Sequence, residues 1–385
     1  MFEPFPGNYV WNLSTNLALM CGGNIGEIDE ACRPIREAAA KGEDAGTAQF
    51  FDSWLRVAHQ VIKNGEEDER NNRLLSAGVK YQRAAGYLLA AERMQSRDYA
   101  PRWEAYRTGL ERFRRGVELQ GAACEFVPIP YGDSYIPALF VPASKTDGAP
   151  SPVLVSCNGL DSMKEQIYGA GNPAAFAARG VATLVIDQPG TGEALRHNKL
   201  HGVYDSERWA SAAVDYLETR SDVDHKRIGM FGLSLGGHFA PRAAAFEKRF
   251  ALCAVMGANH NWGELQKKRL QREGDRPVPH YWDHVMWVFD KPSLEAFMEW
   301  APNMTLNGVV EKIEVPFLVT HGGNDRQIPV SDAHQSYDQA VNSPKRELKI
   351  FDQSYFEVEH CGADNGTIMR DFIADWVSET FNEMG

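Results

Sequence analysis

Residues 227–238 read RIGMFGLSLGGH, an apolar run followed by Gly232, Gly236 and Gly237 set around Ser234. The run to Phe231 has the character of a buried strand, and the residues from Leu235 to Ala245 have that of a helix. Gly232-Leu233-Ser234-Leu235-Gly236 fits the GxSxG pattern, in which small residues let the chain turn so sharply from strand to helix that the serine projects above the sheet edge. The helix behind such a turn favours negative charge developing at its start. The plain alternative is a turn whose glycines serve close packing and whose serine is incidental. The strand-turn-helix context selects the nucleophile reading.

The same rhythm extends outward from this turn. Pro152 to Cys157, Ala182 to Asp187, Ala251 to Met256, Pro316 to Thr320 and Glu347 to Phe351 read as strands. Between and after them, Asp161 to Arg179, Ser206 to Thr219, Asp332 to Ala340 and Thr367 to Phe381 read as helices. Apolar strands alternating with helices predict an α/β fold, a mostly parallel twisted sheet with helices on both faces. Ahead of it, CEFVPIPYGDSYIPALFVP predicts a hairpin turning at Gly132-Asp133. Before residue 120 the pattern is helical throughout, with apolar residues three and four apart in Ile25 to Ala40, Ala45 to Asn64, Glu69 to Gln95 and Ala100 to Leu119. We therefore expect a helical N-terminal domain over 1–120 and a catalytic domain over 121–385. Within the latter, 260–312 breaks the alternation with a Trp- and His-bearing helical stretch that reads as a lid insertion.

Composition narrows the function classes. A net charge of -12 over 385 residues disfavours nucleic acid as a partner. The basic clusters Arg112-Phe113-Arg114-Arg115 and Lys267-Lys268-Arg269 lie in helical patterns with acidic neighbours and read as solvated faces. Six cysteines show no CxxC pair and no disulfide framework. With no stretch of the roughly 18 apolar residues a membrane span needs, the expectation is a reduced, cytoplasmic protein without a membrane partner.

A serine nucleophile needs a base, and the base needs an orienting acid. In strand-helix folds with this turn the chain order is Ser, then Asp or Glu, then His. LVTHGGNDRQIP puts Asp325 in the loop after one strand, and IFDQSYFEVEHCG puts His360 between the last strand and the last helix. Ser234, Asp325 and His360 are thus the expected triad. None of the other ten histidines follows the last strand. His280 and His284, four apart, lack a third ligand at motif spacing and read as a polar lid face, so no metal and no cofactor is expected. Two backbone N–H donors should receive the oxyanion, that of Leu235 and that of Gly159 or Leu160 in the loop NGLDSMKEQ. Asp161 in that loop also reads as an ordinary helix cap.

These motifs resemble the α/β-hydrolases over residue 121 to the end. With NGLDSMKE, IDQPGTGEA and GLSLGGHFAPRAAA behind a long helical region, the chain is similar to one branch of them. That branch includes dihydroxypseudooxynicotine hydrolase, the polyketide-shortening hydrolases of fungal pigment pathways and the fermentation-respiration switch esterases. Asp187, Pro189, Gly190, Gly192 and Glu193 stand at the branch's DxPGxGxS-like turn, with Ala194 in place of its final serine. The resemblance implies the fold, the triad, a possible homodimer and an extra acid downstream of the nucleophile, for which Glu264 is the candidate; Glu264 equally reads as a surface partner of the adjacent lysines. The lid aromatics, Trp262 and Trp282 among them, suit a flat small-molecule substrate and equally suit lid packing. The expected activity is hydrolysis of a carbon–carbon bond beside a ketone in an aromatic or polyketide-type compound. A carboxylesterase with the same parts and a non-catalytic ligand-binding protein are the alternatives.

Overall fold

The computed structural model describes residues 1–41, 48–144, 148–271 and 280–385. The first residues of the helix expected from Ala45 and part of the expected lid, 272–279, lie outside them.

Two compact units divide the chain, with the first boundary between Ala123 and Cys124. One is helical: Tyr9–Met20, Ile25–Cys32, Arg36–Ala40, Ala48–Arg70, Leu74–Arg93 and Pro101–Gln120. Its apolar stripes meet in a core that includes Trp11, Phe50, Trp54 and Tyr87. Burying a side chain such as Phe50 contributes about 1.5–3 kcal/mol. Residues 168–170 and the described residues 280–284 also belong to this unit. No apolar stripe marks the helix Tyr9–Met20 in the sequence, because Asn12, Ser14, Thr15 and Asn16 are buried there. The single helix expected over Ile25 to Ala40 is interrupted, because Pro34 enforces a 3₁₀ turn over Arg33–Ile35.

The second unit is built on eight strands: β1 Glu125–Tyr131, β2 Ser134–Val141, β3 Ser151–Cys157, β4 Ala182–Ile186, β5 Val223–Leu233, β6 Phe250–Met256, β7 Phe317–Gly322 and β8 Arg346–Phe351. Their order in the sheet is β1-β2-β4-β3-β5-β6-β7-β8. The hairpin β1–β2 and the pair β2–β4 are antiparallel, and every later pair is parallel. Every residue of β3, β4 and β7 is buried, as a parallel sheet covered on both faces requires. The helix expected over Asp161 to Arg179 is two short ones, Lys164–Gly169 and Asn172–Ala177. Gly171 between them takes a left-handed φ of +77°, which ends the first helix and sets up Pro173 at the start of the second. The crossovers bring the C-terminal ends of β3, β5, β6 and β7 side by side, and the loops leaving those ends carry the residues described next.

Candidate active site

Only Ser234 and Leu235 separate β5 from the helix Gly236–Phe246. Ser234 takes φ +57°, a left-handed conformation that costs a non-glycine residue on the order of 1–3 kcal/mol and persists only where its surroundings enforce it. Its N–H donates to the Met256 carbonyl at 2.9 Å, and its own carbonyl accepts the Gly237 N–H at 2.8 Å. The flanking glycines answer to crowding. A Cβ on Gly232 would lie 2.0 Å from the Gly236 carbonyl oxygen, and one on Gly237 2.3 Å from that of Gly257.

Three side chains singled out in the sequence are brought together here. His360 Nε2 lies 2.8 Å from Ser234 Oγ, and His360 Nδ1 lies 2.7 Å from Asp325 Oδ2. With Nδ1–H donating to the carboxylate, Nε2 is left to accept from the serine hydroxyl. The other carboxylate oxygen, Oδ1, accepts the N–H groups of Gln327 at 2.7 Å and Ile328 at 2.9 Å, which fixes the plane of Asp325. Burial opposes charge on both partners, yet each is the other's counter-charge. Against its burial, the facing imidazole and these hydrogen bonds hold the Asp325 pKa below the usual carboxylate range. His360, against the burial that lowers it, is raised well above an ordinary histidine by the Asp325 carboxylate.

The loops carrying Asp325 and His360 are braced to each other. Glu359 accepts Arg326 Nε and Nη2, both at 3.0 Å, and Asn324 Nδ2 at 3.1 Å. Asn324 N–H donates to the Val358 carbonyl at 2.9 Å. Cys361, at φ +50°, donates its thiol to the Met256 carbonyl at 3.2 Å. One carbonyl at the end of β6 thereby ties down both the Ser234 turn and the residue after His360. Sequence reasoning missed these braces. The charged neighbours in NDR and EVEH were the available signal, but their pairing depends on tertiary contact.

Gly159 passes directly over the Ser234 turn, where a Cβ would lie 3.0 Å from Ser234 Cβ. Its N–H donates to Ser162 Oγ at 2.9 Å. Leu160, next along, is buried, as is Leu235, whose N–H makes no hydrogen bond among the described residues. Glu264 is not brought to the serine. It stands exposed on the helix Trp262–Gln271 and pairs with Lys267 at 3.5 Å. Trp262 is buried in an aromatic group, 5.3 Å from Phe289 and 5.8 Å from Phe297. Trp282 lies in the helical unit with its ring 5.1 Å from that of Tyr281. A cleft of about 350 Å³ lies beside the Asp325 loop; Asp325 and Arg326 line it, and Ser234 and His360 do not. Among the described residues no three His, Cys, Asp or Glu gather as metal ligands, and no helix is long and apolar enough to cross a membrane.

A family model described as Esterase FrsA-like matches residues 55–271, more than half of the chain. The chain belongs to the FrsA-like esterase family. A model of the prolyl oligopeptidase family matches residues 168–383, a span that takes in Asp325 and His360 as well as Ser234. Alpha/beta hydrolase psoB of Aspergillus fumigatus is 32% identical over 252 residues, 61% of this chain and 54% of that protein. The chain thus spans little more than half the length of that relative. The 2,6-dihydropseudooxynicotine hydrolase of Paenarthrobacter nicotinovorans is 26% identical over 336 residues, 85% of this chain and 83% of that one. The solved structure of a 2,6-dihydroxy-pseudo-oxynicotine hydrolase superposes with a TM-score of 0.77 at 22% identity, covering 96% of both chains. That likeness shows the fold. This FrsA-like chain has the α/β-hydrolase fold.

Proposed function

We propose that the chain hydrolyses a carbon–carbon bond beside a ketone in an aromatic or polyketide-type small molecule through an acyl-enzyme on Ser234. Ser234 Oγ attacks the carbonyl while its proton passes to His360 Nε2, and Asp325 holds the imidazole in the accepting tautomer. The oxyanion is received by the Leu235 N–H and by one N–H of the Gly159–Leu160 backbone, that of Gly159 only by giving up its bond to Ser162 Oγ. The protonated His360 then delivers its proton to the departing enolate carbon, and water, activated in the same way, releases the acid. The observation that carries the reading is the unbroken chain from Asp325 Oδ2 through His360 to Ser234 Oγ, at 2.7 and 2.8 Å, on a serine held in a left-handed backbone. The choice of bond is supported by the resemblance to hydrolases of the pseudooxynicotine type, whose likeness covers most of this chain.

A carboxylic ester hydrolase is the second reading, and one observation favours it. A leaving carbanion gains from an acid besides His360, and Glu264, the candidate, faces solvent with Lys267. Turnover of aryl β-diketones against short-chain aryl esters decides between the two. Cleavage of the diketone supports the first; rapid ester turnover with an inert diketone supports the second. The proposal also holds a second copy of this chain as a partner, on the resemblance alone. Light scattering at micromolar concentration tests it, and a mass of 43.0 kDa would remove it.

A further inference from the structure

The loop that crosses Ser234 is held at both of its ends by two consecutive residues leaving β4. At one end, the Gln188 carboxamide forms a closed pair with the Asn158 backbone: Asn158 N–H donates to Gln188 Oε1 at 2.9 Å, and Gln188 Nε2 donates to the Asn158 carbonyl at 2.8 Å. At the other end, Asp187 Oδ1 accepts the Lys164 N–H at 2.8 Å, and Asp187 Oδ2 accepts Lys164 Nζ at 3.0 Å and the Glu193 N–H at 2.9 Å. Lys164 Nζ also meets Glu165 Oε1 at 2.6 Å and the Glu193 carboxylate. Asn158, Lys164, Asp187 and Gln188 are all buried.

Such an arrangement is expensive to assemble. A buried ammonium and its carboxylates lose hydration that only close, fully formed pairing offsets. Three carboxylates, those of Asp187, Glu165 and Glu193, share this one ammonium, and His197 Nδ1 stands 3.6 Å from Glu193. Burial first of all pushes Glu165 up to about 7, and the competing carboxylates add to that. Glu193, against its own burial, is drawn down to about 2 by Lys164. The turn is also shaped around Asp187, because a Cβ on Gly192 would lie 2.0 Å from Asp187 Oδ2. A fold needing only to end β3 and start a helix does not require this. Between the two anchors lies Gly159–Leu160, whose backbone approaches so closely that a Cβ on Gly159 would stand 3.0 Å from Ser234 Cβ and 3.3 Å from its Oγ.

We infer that Gln188 and Asp187 are positioning residues for catalysis: with Lys164 they clamp the Gly159–Leu160 backbone at the distance from Ser234 that an oxyanion needs. This rests on the reading of Ser234 as nucleophile. Neither residue touches the reacting atoms; each acts through the loop. Because a misplacement of about 1 Å in catalytic geometry costs on the order of 100-fold in rate, releasing one anchor should be visible in the chemistry before it is visible in the fold.

The test measures the second-order rate of phosphonylation by a fluorophosphonate in Gln188→Met, which removes both hydrogen bonds to Asn158, and in Gln188→Asn, which keeps the carboxamide but shortens its reach. Expected is a loss of about 100-fold for the methionine variant, a smaller loss for the asparagine variant, and an unchanged pH midpoint of labelling, since the Ser234–His360–Asp325 chain is intact. If the methionine variant does not fold, the asparagine variant carries the comparison. Labelling of folded Gln188→Met within threefold of the unmodified rate overturns the inference, as does a loss that merely tracks the fraction of folded protein. Ser234→Ala, run alongside, keeps the two claims apart. If it still labels, the nucleophile reading has failed; if it does not label while Gln188→Met labels at full rate, only the clamp has failed.

Discussion

Replacing Asp325 by Asn is the change whose outcome the geometry specifies most fully. Oδ1 accepts two backbone N–H groups, from Gln327 at 2.7 Å and Ile328 at 2.9 Å, so the oxygen of an asparagine amide must stay on that side. Its NH₂ then faces His360 Nδ1 where Oδ2 stood, 2.7 Å away. An NH₂ donates, so Nδ1 must accept, and the imidazole proton moves to Nε2 facing Ser234 Oγ. A histidine in that tautomer has no lone pair for the serine proton. The expected loss in kcat/KM is about 10⁴-fold, on the order of 5 kcal/mol in the barrier, the size associated with a mis-set tautomer. The pH profile supplies an independent sign. His360 accepts a proton only when neutral, so activity falls as pH drops through its pKa, which Asp325 holds well above that of an ordinary histidine. Without the carboxylate, burial lowers His360 against the lesser upward pull of Cys361 alone, and the acid limb moves to lower pH. Hydrolysis of 4-nitrophenyl acetate from pH 5 to 9 reads both effects. An Asp325→Asn enzyme within 30-fold of the unmodified one, with its acid limb unmoved, would refute the reasoning.

Three further expectations follow from the same contacts. Gly257→Ala places a Cβ 2.8 Å from Cys361 Sγ at a φ of +82°, so it should lower kcat at least tenfold and depress the thermal midpoint; an unchanged midpoint with full activity counts against the packing described. Glu264→Gln removes an exposed pair with Lys267 at 3.5 Å, worth less than about 1 kcal/mol, and should leave ester hydrolysis and stability within twofold; a selective loss of carbon–carbon cleavage would return Glu264 to the site. Glu357 is raised by burial to about 7 while its Oε2 accepts the N–H groups of Ile368 and Met369. The folded state thus holds this proton between pH 4.5 and about 7 where the unfolded chain has lost it. Stability therefore falls as pH rises through that window, and Glu357→Gln should flatten the fall in a denaturation series; an identical slope in both proteins contradicts the assignment.

Much of the fold was legible because parallel strands buried on both faces are written as apolar runs, and β3 through β7 stand within a few residues of where those runs predict them. The hairpin was legible from Gly132-Asp133, and Gly132 does take a left-handed φ of +57°. Legibility failed where packing overrides local pattern. The helix Tyr9–Met20 buries asparagine, serine and threonine and shows no stripe. At the site, GLSLG pointed to Ser234 through a local rule of turn geometry, and loop position pointed to Asp325 and His360. The Met256 carbonyl, the Glu359–Arg326 brace and the Gln188–Asn158 pair carry no such rule, because each joins residues that only the finished sheet brings into contact. Glu264 shows the reverse case: the family resemblance suggested a role for a residue that stands exposed on the helix Trp262–Gln271 beside Lys267.

Every step proposed for the site depends on Ser234 as the activated nucleophile. Its most direct test is the intact mass of the protein after exposure to a fluorophosphonate, with the modified peptide identified, for the unmodified chain and for Ser234→Ala. One phosphonyl adduct is expected, on Ser234, and none on the folded alanine variant. An adduct that persists in Ser234→Ala, or an unmodified protein that takes up no label while folded, would contradict it.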